Sequence, residues 1–241
     1  RRPWPALVFV VALLLCCGLV WHLERQRISA QRHQLLSLAT DQSRAIESHI
    51  DRLLSTTYLM AASVRKDGGR VVDFESLAQE ILPFYPGITA LSLSPDGVVR
   101  HVVPLDSNRV LLGFDPLKDP AQSPEAFLAR DSGRLTLACP MNLMQGGLGV
   151  VGRLPVFLNR DGGERRFWGF ANVTIGLSQA LSATGLDSLR DLGYRYQVWR
   201  VHPDTHRVQT ILSSTQDELI DPVSKTLRVP NAEWTLSVAP A

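Results

Sequence analysis

The chain has 241 residues, 45% hydrophobic and 20% charged, enough for one large domain or two small ones. Its formal net charge of +2 is uneven: residues 1–66 carry nine Lys/Arg against four Asp/Glu, and residues 67–241 carry sixteen against nineteen. A mildly acidic body has no electrostatic footprint for nucleic acid, which excludes that partner class.

Residues 3–23, PWPALVFVVALLLCCGLVWHL, hold no formally charged side chain. They are long enough to cross the roughly 30 Å hydrocarbon core as a helix. The sequence predicts a transmembrane helix over residues 1–23, with Trp4 and Trp21 near the two interfaces. Arg1 and Arg2 precede the run and Arg25, Arg27 and Arg32 follow it, so the positive-inside rule is nearly balanced. No A-x-A site follows, and Leu14-Leu15-Cys16-Cys17 lacks the small residue of a lipoprotein signal, so the run reads as an uncleaved anchor. With Arg and not Met at its start, the chain is expected to be an excerpt of a longer protein.

From residue 22 to 66 there is no proline or glycine, and Ile46, Ile50, Leu53, Leu54, Thr57, Met60, Ala61 and Val64 recur at helical spacing. The spacing predicts a stalk helix over 24–66, polar in its first half. The stripe in its second half fits either the chain's own sheet or a twin helix in a homodimer. Asp67-Gly68-Gly69 stops it.

Short apolar runs and turn signals then alternate. A helix is expected over 74–82, then a hairpin of strands 88–93 and 98–103 around Ser94-Pro95-Asp96-Gly97. Residues 104–124 are irregular, and long irregular segments inside compact domains are often functional. A short helix over 125–130 leads to a second hairpin, strands 135–138 and 150–156, around the glycine-rich Gln145-Gly146-Gly147-Leu148-Gly149. Cys139, the one cysteine outside the apolar run, reads as an inert residue at a buried strand end.

A turn at 159–163 precedes a strand over 165–175. A helix over 177–192, interrupted near Gly185, precedes a hairpin of 194–201 and 207–212 and two last strands, 226–229 and 234–238. His202 and His206 are four apart, but Pro203 breaks the helix that would align them, so they read as a solvated turn and no metal site is expected. No P-loop or G-x-S-x-G elbow is present. Hairpins separated by single helices argue for α+β with antiparallel sheets and against a doubly wound parallel sheet.

Within this order stand Ala129-Arg130-Asp131-Ser132-Gly133, Pro140, the loop from Leu143 to Gly149, and Pro155-Val156-Phe157. Together they resemble the core of the CHASE sensory domain, with a looser likeness over about residues 74–240. The resemblance implies an N-terminal transmembrane helix, a long stalk helix and two tandem PAS-like subdomains: a membrane-distal unit at 67–176, and a linker helix with a membrane-proximal unit at 177–241. It also implies a periplasmic or extracellular sensor held at the inner (cytoplasmic) membrane. The distal unit would bind a small molecule, and the proximal unit would relay the change to a cytoplasmic diguanylate cyclase, cyclic-di-GMP phosphodiesterase or histidine kinase. No cofactor is implied.

In plant cytokinin receptors, which share this domain family, an aspartate ahead of the A-R-[ED]-[ST]-G run binds the adenine ring, and it matches Asp115 here. Leu137 matches an apolar ligand contact and Ser132 the family's small hydroxyl position. The family's threonine in the following loop gives way to Gly146 and Gly147, so the resemblance implies some small, partly apolar ligand other than an adenine-type cytokinin. Two alternatives stay open beside the sensor: a membrane-anchored exported enzyme and a partner-binding adaptor. The acid-rich stretches 115–119 and 217–221 have no histidine close in sequence, so no catalytic residue is assigned.

Overall fold

The computed structural model describes residues 4–159, 164–203 and 205–241, without the side chains of 4–12, 14–16, 27 and 28. One helix, α1 (Trp4–Lys66), runs through 63 residues, unbroken over the proline- and glycine-free stretch 22–66. Among the described residues no helix is long and apolar enough to cross a membrane. The expected span, residues 3–23, is helical in its backbone from Trp4, and most of its side chains lie outside the described residues.

The stop at Lys66 has a specific chemistry. Gly68 N–H donates to the Arg65 carbonyl at 3.2 Å and Gly69 N–H to the Val64 carbonyl at 2.8 Å, a Schellman closure that needs the positive φ of both glycines (64° and 90°). The Gly69 carbonyl then accepts the Trp168 indole N–H at 2.9 Å, which ties the helix end to the first sheet.

Beyond this stop come α2 (Phe74–Ile81), β1 (Ile88–Pro95), β2 (His101–Val103), α3 (Leu105–Asn108) and α4 (Ser123–Ser132). Next are β3 (Thr136–Leu137), β4 (Met141–Asn142), β5 (Leu148–Asn159) and β6 (Arg165–Gly176). These six strands form an antiparallel sheet in the order β2-β1-β6-β5-β3, with β4 beside β3 on the same edge of β5. The expected hairpin around the glycine loop is present, with β4 as an addition too short to leave a sequence period. Arg160, Asp161, Gly162 and Gly163 of the expected 159–163 turn lie outside the described residues.

The interrupted helix expected over 177–192 is two pieces, α5 (Leu177–Ser182) and α6 (Ser188–Asp191), separated around Gly185 at φ 76°. A four-stranded antiparallel sheet follows: β7 (Tyr194–Val201), β8 (Val208–Ser213), β9 (Val223–Val229) and β10 (Ala232–Pro240), in the order β8-β7-β10-β9. The architecture is thus α+β with two antiparallel sheets, as expected.

Both sheets pack on α1. Ile46, Ile50, Leu53 and Met60 are at most 2% exposed and join one core with Leu91, Val173 and Val150 of the first sheet and Val198, Leu227 and Trp234 of the second. The stripe is therefore intramolecular core. Each such side chain contributes about 1.5–3 kcal/mol by leaving water.

The helix and the first sheet meet tightly at Gly152 of β5, where a Cβ would sit 2.3 Å from Leu54 Cδ2. Gly152→Ala is expected to destabilise the fold by about 1–3 kcal/mol through overpacking. In chemical denaturation that cost should shrink in the Leu54→Ala background, and an unchanged cost would mean that the helix does not press on β5 here.

Candidate functional site

Alternation along the strands gives the first sheet two chemically different faces. Leu91, Leu93, Ala171, Val173 and Leu154 point toward α1 and are buried and apolar. On the opposite face the register aligns Thr136 with Arg153, Arg153 with Asn172, and Asn172 with Ser92, a transverse row across β3, β5, β6 and β1. All four are buried despite being polar. Burial of such a row is costly unless each group is hydrogen-bonded.

The Thr136 hydroxyl donates to the Glu125 carbonyl of α4, while Ser92, Asn172 and Arg153 are covered by the irregular segment after β2 and by the loop between β4 and β5, leaving a cavity of about 50 Å³. Its walls are apolar at Val99, Leu111, Phe114, Leu143 and Val151, and polar at Ser92, Gln122, Gln145, Arg153, Asn172 and Thr174. Local hydrogen bonds set the cover. Val99 exchanges bonds with Gly113 (2.8 Å) and Phe114 (2.9 Å), and buried Asn108 donates to the carbonyls of Thr89 (3.1 Å) and Pro104 (2.8 Å). Asn108 Oδ1 then accepts from Gln145 Nε2 at 2.9 Å, so the two covering segments meet through one amide pair.

Arg153 dominates the electrostatics. It is 2% exposed, its Nη2 donates to Gln122 Oε1, and its Nη1 has no partner among the described residues. Among the described residues no ion pair holds it there. Burial pulls its pKa down to about 10, against the opposing fields of Glu125 and Asp119, so the guanidinium is charged at neutral pH. A buried charge without a paired carboxylate costs on the order of several kcal/mol. Gln145 Oε1 and Asn172 Oδ1 are also buried without partners, although the Asn172 amide donates to Ser94 Oγ (2.8 Å) and Ser92 Oγ (3.3 Å). The cavity lining contains no carboxylate, histidine or cysteine.

None of the five residues singled out from the sequence lines this cavity, and Asp115 and Gly146 adjoin residues that do. Asp115 stands between two wall residues, Phe114 and Pro116, but its Oδ1 accepts the Leu117 N–H at 3.0 Å and its Oδ2 pairs with Lys118 at 3.1 Å. Gly146 and Gly147, at φ 100° and 78°, turn the chain directly after Gln145, with open space where a side chain would stand. Ser132 ends α4, its hydroxyl donating to the Leu128 carbonyl at 2.6 Å. Leu137 is core, 3% exposed, and borders a second cleft. Sequence reasoning missed Arg153. The available signal was a single charge inside the apolar run Val150-Val151-Gly152-Arg153-Leu154.

The second cleft, about 390 Å³, lies at the seam of the two sheets, between α4, β3, β7 and β10. Cys139 is half-buried there, more open than expected. Its thiol donates to Glu125 Oε1 and accepts from Arg200 Nη2, each at 3.0 Å. Burial, then the Glu125 hydrogen bond, push the thiol pKa up, the opposite of what a nucleophile needs. Arg200 also donates to Gln209 Oε1 (3.0 Å), whose amide reaches the Pro140 carbonyl (3.0 Å). Polar groups here stitch one sheet to the other. Among the described residues no cluster of His, Cys, Asp or Glu could hold a metal ion. His206 N–H closes its turn on the His202 carbonyl at 2.9 Å.

Among solved structures, an extracellular ligand binding receptor from Desulfohalobium retbaense DSM5692 is similar in fold: TM-score 0.68 at 11% identity over 85% of this chain. The matched part is 40% of that receptor's length. The Vibrio cholerae LuxQ periplasmic domain aligns with 88% of this chain and 98% of its own length at 17% identity and a TM-score of 0.41. No curated protein matches. The family model for the CHASE domain matches residues 60–208, more than half of the chain, running from the end of α1 to the start of β8 and so including the whole first sheet and the first cavity. The chain belongs to the CHASE domain family.

Proposed function

We propose that this chain is the extracytoplasmic small-molecule-sensing region of a transmembrane receptor. The carrying observation is the buried polar set Ser92, Asn172 and Arg153 lining an apolar-walled cavity. It combines apolar enclosure with a few convergent polar groups, the usual make-up of a small-molecule site. In this reading residues 67–176 bind the ligand, residues 177–241 relay, residues 1–23 anchor the chain in the inner membrane and 24–66 form the stalk. The output module is a cytoplasmic cyclase, phosphodiesterase or histidine kinase. Asp115, Gly146 and Gly147 act from behind the walls, by shaping the segments that cover the row, while Ser132 at the end of α4 and Leu137 on β3 lie outside that cover. The receptor signals without chemistry of its own: the cavity brings no base or nucleophile pair together, and the one thiol near a carboxylate is held protonated.

The fold suggests how the signal leaves the site. Arg153 and Gly152 are neighbours on β5, one facing the cavity and the other pressed by Leu54. A change in the twist of β5 on ligand binding reaches α1 across a single sheet. A second route runs along α4, where Gln122 touches Arg153 and Glu125 holds Cys139 at the seam.

A thermal-shift screen of small metabolites on the purified chain tests the reading. A ligand at a hundredfold its Kd stabilises by about 2.7 kcal/mol, a clear rise in Tm, and Val151→Trp should abolish that rise by filling the cavity. Absence of any hit would favour the adaptor alternative. A reporter enzyme active only after export, joined after Ala241, should be active, and activity confined to a cytoplasmic reporter would reverse the topology. For the homodimer, the exposed part of the stalk remains available. Cysteines placed at Ala30, Gln34 and Ser37 in a cysteine-free background should crosslink between copies while Ile50→Cys does not. A strong Ile50 crosslink would contradict the intramolecular packing of the stripe.

A further inference from the structure

Resting on the sensor reading, we propose that the ligand of the first cavity is a short organic acid whose carboxylate docks on Arg153. The guanidinium has five donors in a planar fork, and Gln122 occupies one position on Nη2. Arg153 lines the cavity and its buried Nη1 has no partner among the described residues, so the fork has a donor left for a carboxylate oxygen.

The chain's own carboxylates do not supply the match. Glu125 Oε1 accepts from Cys139, Asp119 Oδ1 accepts the Ala121 N–H at 3.0 Å, and neither forms an ion pair with Arg153. The cavity therefore holds a buried positive charge with the counter-charge missing from its lining. The other orphaned atoms extend the pattern. Gln145 Oε1 and Asn172 Oδ1 are acceptors without donors, which suits a hydroxyl or amino group on the same ligand. Val99, Leu111, Phe114 and Leu143 enclose the remainder in apolar surface, which disfavours a bare inorganic anion. A volume of about 50 Å³ limits the molecule to a short chain unless the 141–145 loop moves.

The experiment is calorimetric titration of the full chain with acetate, propionate, lactate, pyruvate and alanine, each beside its neutral amide, and with inorganic phosphate. At least one acid is expected to bind while its amide does not, and Arg153→Gln should weaken that acid roughly 10- to 100-fold. Arg153→Gln removes an unpaired buried charge, so its ligand-free Tm should not fall. If that variant fails to fold, Arg153→Lys keeps the charge, loses the fork and should show a smaller loss in affinity. An amide that binds as well as its acid, or an acid that ignores both substitutions, overturns the carboxylate and leaves the sensor standing. Binding of phosphate alone overturns the organic acid. A broad metabolite screen with no binder at all, charged or neutral, overturns the sensor reading itself.

Discussion

The structure depends on one helix serving two sheets. The apolar stripe of α1 continues from Leu35 to Val64, and its residues belong to the same core cluster as the inner faces of both sheets. The second sheet meets it around Glu47, which accepts the Arg228 N–H, and the first around Leu54 and the glycines that end the helix. A shared rod means that neither sheet can change its packing without the other meeting the consequence. A 63-residue helix with no proline or glycine break before residue 66, apart from Pro5 and Gly18 near its start, is stiff enough to carry such a displacement along its length.

The first sheet is buried on both sides, and its second face is where stability has been given up. Apolar residues at 92, 153 and 172 would pack at lower cost than a serine, an unpaired guanidinium and an asparagine with an orphaned oxygen. Departures from local packing logic concentrate where a protein does something besides fold. The cover over this face is irregular chain held by a few hydrogen bonds through Asn108 and Val99, so it can be rearranged at less expense than the sheet beneath it.

Local features were legible in the sequence. The stop at Asp67-Gly68-Gly69, the turn at Ser94 to Gly97, the glycine-rich hairpin and the break near Gly185 all stand where turn chemistry placed them, because those signals act within a few residues. The family was legible too, since its motif is one continuous stretch. The cavity was not. Its polar floor joins positions 92, 153 and 172, which become neighbours only through strand register, and no short-range spacing encodes that. Asp115 was placed by family position next to two true wall residues, while its own carboxylate is used by the turn it begins. The stalk stripe was recognised as apolar, but a stripe does not name its partner, and here the partner is the chain itself.

The contact between Asn231 and Leu137 has a consequence for solubility. β3 is a two-residue edge strand, and at Leu137 its outward N–H and carbonyl are both taken by the Asn231 side-chain amide, at 2.6 and 3.1 Å. Asn231 itself sits at φ 52° in the tight turn between β9 and β10. A single amide thus imitates the next strand and occupies the backbone groups that a foreign chain would need for pairing. The second sheet thereby seals the margin of the first at Leu137, where another copy of the chain finds no free backbone groups to pair with.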